Sequence, residues 1–199
     1  MDMHEITAYI FQNKLEITAA LFGLLYVILA SRESFFCWFA GIVNVSIYIV
    51  IFSQQKIFAN MFLQIVYLVL SFYGLYCWKT AKKGQQAVIS KMDSSYRYFL
   101  VVLFVLLMGG IYLALIDNSS NQIMLDTMTT AAGIIATWMQ ARKFIENWLI
   151  WIPTDLTIAV MFFMGGLYVS MALYLLYSII AIFAYFRWKH ELKLRTAGI

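Results

Sequence analysis

Long apolar stretches separated by brief polar breaks run along almost the whole chain. Seven of them, at roughly 15–30, 34–52, 58–78, 97–116, 123–141, 147–164 and 167–187, approach the ~20 residues that a helix needs to cross a bilayer. The breaks are short apart from 79–96, which carries Lys82, Lys83 and Gly84. The pattern predicts an all-α integral membrane protein with seven transmembrane helices. Ahead of the first run the chain is acidic rather than basic (Asp2, Glu5), unlike a cleaved signal sequence. Ile6, Tyr9, Ile10 and Phe11 fit one face of a short surface helix, or a frayed tail.

The pattern also repeats itself. Residues 17–79 align without a gap on 127–189, an offset of 127 − 17 = 110. Gly23 meets Gly133, Arg32 meets Arg142, Trp38 meets Trp148, Tyr67 meets Tyr177, and Trp78-Lys79 meets Trp188-Lys189. Three runs per copy would invert the second copy, and the unmatched run at 97–116 turns it back. The expected architecture is therefore 3+1+3, two parallel three-helix repeats in one transmembrane domain. Parallel repeats of this kind suit transporters that rock one half against the other around a central site.

Composition agrees with a membrane chain: 63% hydrophobic, 12% charged, mean hydropathy +0.81. Charge orients it. On one side of the alternating loops stand Lys14 and Lys56, and on the other the remaining twelve of the 14 lysines and arginines. The positive-inside rule places the crowded side in the cytoplasm, with the N-terminus outside and the C-terminus inside. The net charge of +4 is then a topology signal, with no nucleic-acid partner implied. Cys37 and Cys77 read as small packing residues.

Polar groups inside the runs carry the candidate chemistry, because an amide or carboxylate in hydrocarbon is costly enough to mark a function. Asn147, Trp151 and Asp155 stand at i, i+4 and i+8 on one face of the sixth run, with Trp148 beside them and Asp155 at mid-depth. Pro153, the chain's single proline, leaves the carbonyl of Leu149 without its helical donor. The first repeat sets Trp38 opposite Trp148, Gly41 opposite Trp151 and Asn44 opposite Thr154, which predicts a lopsided pocket lacking one indole. Asn60 and Gln64 add amides on the third run, Tyr174 and Tyr177 lie on the seventh, and Asp126, Thr130, Thr137 and Gln140 stripe the fifth.

Each of these has a structural alternative. All six tryptophans fall in the inner halves of their runs, where an interfacial belt belongs. Trp78, Trp138 and Trp188 are read as belt, Trp38 and Trp148 fit either role, and Trp151, a turn deeper, is read as facing a ligand. Asn44 and Gln64 suit cross-helix bonds as well as ligand contacts. Asp155 has the weakest alternative, since no Lys, Arg or His lies in the interior of another run. It is protonated, wetted by a cavity, or paired with a cation that arrives from outside. A flat, permanently cationic ring held between indoles, its charge balanced by the acid, meets the last condition.

Enzyme chemistry is not expected. His4 and His190 lie outside the runs, and neither a phosphate-binding glycine loop, a cysteine cluster nor a serine–lysine pair occurs in the membrane. Catalytic residues, metal and cofactor are all predicted absent. A purely structural role would not require a mid-membrane acid beside two indoles.

The runs ARKFIENWLIWIPTD, FAGIVNV, LQIVYLVLSFYGLYCW and LYLLYSIIAIFAYFRW resemble the PnuC family of bacterial vitamin transporters over residues 15 to 189. The resemblance implies a three-plus-one-plus-three architecture similar to that of the SWEET sugar carriers, a multi-pass protein of the bacterial inner membrane, and a homotrimer. It implies facilitated uptake of nicotinamide riboside, a small cationic vitamin precursor, drawn inward by phosphorylation through a cytosolic kinase. Thiamine is the alternative substrate within the family, with riboflavin a further relative. A proton-coupled carrier and an intramembrane enzyme are more distant readings. Substrate contacts are implied at Trp148, Trp151, Asp155, Asn44 and Gln64, to which the residue pattern adds Trp38, Asn60, Asn147 and Tyr177. Asp155 is a departure, standing where nicotinamide riboside carriers often have an amide.

Overall fold

The computed structural model describes residues 14–80, 88–115 and 123–197. The surface-helix candidates before Lys14, together with Lys82, Lys83 and Gly84, lie outside the described residues. Seven helices appear there: α1 (Lys14–Ser31), α2 (Phe36–Gln54), α3 (Phe58–Thr80), α4 (Ser94–Leu115), α5 (Ile123–Ala141), α6 (Asn147–Met164) and α7 (Tyr168–Thr196). Six are long and apolar enough to cross a membrane; α5 is not. Seven helices thus stand where seven runs were expected, with α5 the less apolar one. The reason is burial: α4 and α6 pack against α5, whose buried positions include Thr127, Thr129, Thr137 and Gln140. Each threonine hydroxyl donates back to a carbonyl four residues earlier, at 2.7–2.8 Å. A helix sheathed by protein has no need of an apolar surface all round.

The chain divides into two compact units between Leu75 and Tyr76. In the first, α1 packs along α2. Gly41 lets them close: a Cβ there would stand 3.1 Å from the ring of Tyr26 on α1 and 3.5 Å from Ser71 Oγ on α3. The space that the first repeat lacks an indole to fill is thus taken by a tyrosine. Asn44 ties the pair further, its amide donating to the carbonyl of Ala19 at 2.6 Å.

In the second unit, α4 packs on α5, α5 on α6 and α6 on α7. Leu100 of α4, Ile135 and Met139 of α5, and Phe144 of the following turn form one apolar cluster, extended by Leu103, Phe104, Leu107 and Ile150.

Four helices end in the same way. Past α1, Glu33 N–H donates to Ala30 O at 3.0 Å and Ser34 N–H to Leu29 O at 3.0 Å. Past α5, Lys143 N–H donates to Gln140 O and Phe144 N–H to Met139 O, both at 3.0 Å. The ends of α2 and α6 match likewise: Lys56 to Ser53 and Ile57 to Phe52 in one, Gly166 to Phe163 and Leu167 to Phe162 in the other. These are Schellman turns, which need a residue in the left-handed region. It is Glu33 (φ 55°), Lys56 (φ 59°), Lys143 (φ 55°) and Gly166 (φ 73°). Only one of the four is glycine; the others accept about 1–2 kcal/mol of left-handed strain each. Glu33 and Lys143 are 110 residues apart, as are Lys56 and Gly166.

Candidate substrate site

Helix α6 has two faces. Leu149, Leu156, Val160 and Phe163 are exposed on one, ready for lipid, while Trp148, Thr154, Asp155 and Ala159 are buried on the other. Asp155 is 5% exposed, so its carboxylate is held within protein and away from hydrocarbon tails. Pro153 sits inside the helix, which continues unbroken to Met164. Near it, the Ser178 hydroxyl of α7 donates to Ile152 O at 3.4 Å and the Thr157 hydroxyl to Pro153 O at 2.9 Å. The carbonyl that the proline deprives of its helical donor is that of Leu149.

At the N-terminal end of α6, Asn147 is fully buried, its amide donating to Phe144 O at 2.6 Å. Its side-chain oxygen, the indole N–H of Trp148 and the amide nitrogen of Gln140 are buried with no hydrogen-bond partner among the described residues. Buried polar atoms are nearly always satisfied, so each of the three is a candidate for contact with a polar guest.

The two indoles of the WLIW run differ in environment. Trp148 is 2% exposed and meets the ring of Trp188 edge-on, centroids 5.5 Å apart. Trp151, a turn further on, stays half-buried and accessible. Tyr177 on α7 is also half-buried, edge-on to Tyr174 at 5.4 Å.

Two tryptophans expected in an interfacial belt are instead interior. Trp78 and Trp188 are buried, with ring centroids 6.4 Å apart. Trp78 caps the end of α5: its indole N–H points at the carbonyls of Gln140 (3.3 Å) and Ala141 (3.1 Å), while Lys143 Nζ lies 4.6 Å from its ring centroid. An indole can do this because it joins a large apolar body to one donor, and the last helical carbonyls lack intrahelical partners. Position along the run could not distinguish this use from a belt. Trp138 is half-buried beside Tyr96 and Phe144.

In the first unit, Trp38 is fully buried over Gly74. Asn44 spends its amide N–H on Ala19, leaving its side-chain oxygen for other use. Gln64 is half-buried and Asn60 exposed on α3. Second-unit candidates therefore gather along α6 and the facing part of α7, and the first-unit candidates are spread over α2 and α3. One residue of the RKFIENW run was passed over in the sequence: Glu146, whose carboxylate accepts the backbone N–H of Met92, with both oxygens at 3.1 Å. Its partner is 54 positions away in sequence, beyond any local pattern. Among the described residues no group of three or more His, Cys, Asp or Glu side chains could hold a metal ion.

A bundle of membrane-length helices with a buried carboxylate and unsatisfied polar groups inside is the construction of a protein that handles a polar solute within the bilayer: a multi-pass transporter. The chain belongs to the family described as nicotinamide mononucleotide transporter, which it matches over residues 13–190. It is similar to the nicotinamide riboside transporter PnuC of Escherichia coli (strain K12), at 23% identity over 195 residues covering 84% of this chain and 82% of that protein. The transporter of the same name from Neisseria mucosa is 24% identical over 188 residues, 88% of this chain and 72% of the other. A crystal structure of the vitamin B3 transporter PnuC shares the fold, with a TM-score of 0.74 at 19% identity over 96% of this chain and 86% of that one. These relatives are named as transporters, in line with the expectation that the chain is not an enzyme.

Proposed function

We propose that this protein carries nicotinamide riboside across the bacterial inner membrane. The observation that carries this reading is the family match over residues 13–190, with relatives named for that substrate. Asp155, an acid buried on the interior face of α6, suits a cationic guest. The pyridinium ring of the riboside has a fixed positive charge, which the carboxylate balances. Trp151 offers it an accessible aromatic face, and Asn147 offers an amide to the ribose or carboxamide; in the first unit, Asn44 and Gln64 are the amides proposed as substrate contacts. Trp148 and Trp38 hold the walls of their units, with Asn60 and Tyr177 at the margins.

Carriage proceeds by alternating access of two parallel repeats, 17–79 and 127–189, joined by the helix at 97–116, with the N-terminus outside and the C-terminus in the cytoplasm. The matched turn geometry at Glu33 and Lys143, and at Lys56 and Gly166, supports the repeat. Uptake is facilitation in a homotrimer, made net inward by a cytosolic kinase that phosphorylates the product.

The test is uptake of labelled nicotinamide riboside into vesicles holding the purified protein. Entry should stop at equal concentrations, and continue when a riboside kinase and ATP are enclosed. Accumulation above the outside level without kinase, abolished by collapsing a proton gradient, would replace facilitation with proton coupling. Uptake of thiamine in preference to nicotinamide riboside would change the substrate and keep the mechanism.

A further inference from the structure

Between α3 and α4 the described chain resumes at Val88 and runs as an extended segment along the α5–α6 turn. Ser90 and Phe144 form a parallel bridge: Ser90 N–H donates to Lys143 O at 3.1 Å, and Ile145 N–H to Ser90 O at 3.0 Å. Ile89 is buried beside this bridge, 1% exposed. Two residues on, Met92 N–H is held by the Glu146 carboxylate. Residues 143, 145 and 146 are thus each tied to residues 90–92, immediately before Asn147 and Trp148.

Glu146 occupies the N-cap position of α6 without capping it: its side chain makes no cap hydrogen bond there. It reaches sideways to the strap instead, and its negative charge still suits the positive end of the helix. In the first unit the matching position carries no carboxylate. Phe36 stands at the position 110 residues before Glu146, and it is 57% exposed.

We infer that residues 89–92 act as a strap, and that Glu146 is a positioning residue which, through it, sets the placement of Asn147 and Trp148. The inference rests on the reading of this site as a substrate site. A buried amide oxygen and an indole N–H with no partner in their own unit are useful only if they are aimed. The turn that aims them is closed by its own bonds, Lys143 N–H to Gln140 O, Phe144 N–H to Met139 O and the Asn147 amide to Phe144 O. The strap supplies three further hydrogen bonds, one of them charge-assisted and therefore stronger than a neutral pair.

The experiment compares Glu146→Ala, Glu146→Gln, Met92→Pro and the double variant Glu146→Ala/Met92→Pro in vesicle uptake and in amide hydrogen exchange without ligand. Glu146→Ala should raise the half-saturation concentration for nicotinamide riboside about fivefold, within the range for residues acting at one remove, while the maximal rate per folded protein holds. Glu146→Gln keeps one acceptor and should recover most of the loss. Met92→Pro removes the donor and should match Glu146→Ala, with the double variant no worse than either single. Exchange in Glu146→Ala should rise at Ser90 and Ile145 and extend to Asn147 and Trp148. Wild-type half-saturation in Glu146→Ala, or additive losses in the double variant, would overturn the inference. Should Glu146→Ala fail to fold, Glu146→Gln and Met92→Pro carry the same comparison. If the unaltered protein takes up no nicotinamide riboside, the substrate reading falls. The exchange data then decide the strap alone: protection at Asn147 and Trp148 that Glu146→Ala and Met92→Pro leave unchanged defeats it.

Discussion

The benzo half of the Trp38 indole lies directly over Gly74, so close that a methyl group on that glycine would overlap the ring. α2 and α3 therefore meet at a point where a large rigid side chain of one replaces the side chain missing from the other. The second unit solves the same problem differently: Ala184 stands 110 residues after Gly74, and Trp148 there turns its edge to Trp188.

Gly74→Ala is accordingly expected to destabilise the protein by about 1–3 kcal/mol through overpacking, since the ring cannot move away as a flexible side-chain end would. Thermal unfolding of the purified protein in detergent measures this. Trp38→Phe in the same molecule should recover part of the loss by removing the overlapped atoms. A Gly74→Ala protein as stable as the original would show that α2 and α3 are not in this contact.

Trp148 and Trp151 should separate in their effects although they are three residues apart. Trp148→Ala empties a buried volume and is expected to cost about 3–5 kcal/mol in stability. Trp151→Ala should leave the unfolding midpoint close to the original and weaken nicotinamide riboside binding at least about tenfold, as loss of a cation–π and stacking partner requires. Calorimetric titration and thermal unfolding on the same two samples test the pair. Unchanged affinity in Trp151→Ala would assign that indole to the membrane interface.

Asp155→Asn keeps the shape of the side chain and removes its charge. Binding of the cationic riboside should fall by about tenfold or more, and binding of the reduced, uncharged dihydro form should change little, because a buried charge acts on its partner far more strongly than an exposed one. Stability is expected to hold or rise, since an isolated buried carboxylate is costly to the fold. Equal losses for both forms would mean that Asp155 serves shape rather than charge.

Trp78→Phe removes the donor that caps α5 while keeping most of the ring. The loss should be about 1 kcal/mol, the usual net value of one hydrogen bond, seen in thermal unfolding with substrate affinity unaltered. A fall in affinity without a fall in stability would make Trp78 part of the site.

Asp155 shows how much of the burial pattern around the candidate site could be read directly. An acid at the middle of an apolar run, with no internal base to neutralise it, has to face protein or a guest, and it is buried as that argument requires. Trp78 and Trp188 show the limit. Their depth in the runs suits an interfacial belt and a helix cap alike, and the choice depends on the carbonyls of Gln140 and Ala141, more than 60 residues away from Trp78.

The same division holds for the whole chain. Hydrophobic runs of membrane length, and polar residues stranded within them, follow from the expense of putting backbone and charge into oil, a cost that acts residue by residue and is therefore visible in one dimension. The helices and their order were legible for that reason, as was the acid on α6. The tolerance of α5 for so many hydroxyls, the burial of Trp148, the tyrosine filling the space beside Gly41 and the tie between Glu146 and Met92 were decided only in three dimensions. Each depends on which distant side chain or backbone group comes to lie alongside, and packing complementarity leaves no periodic trace in the order of residues.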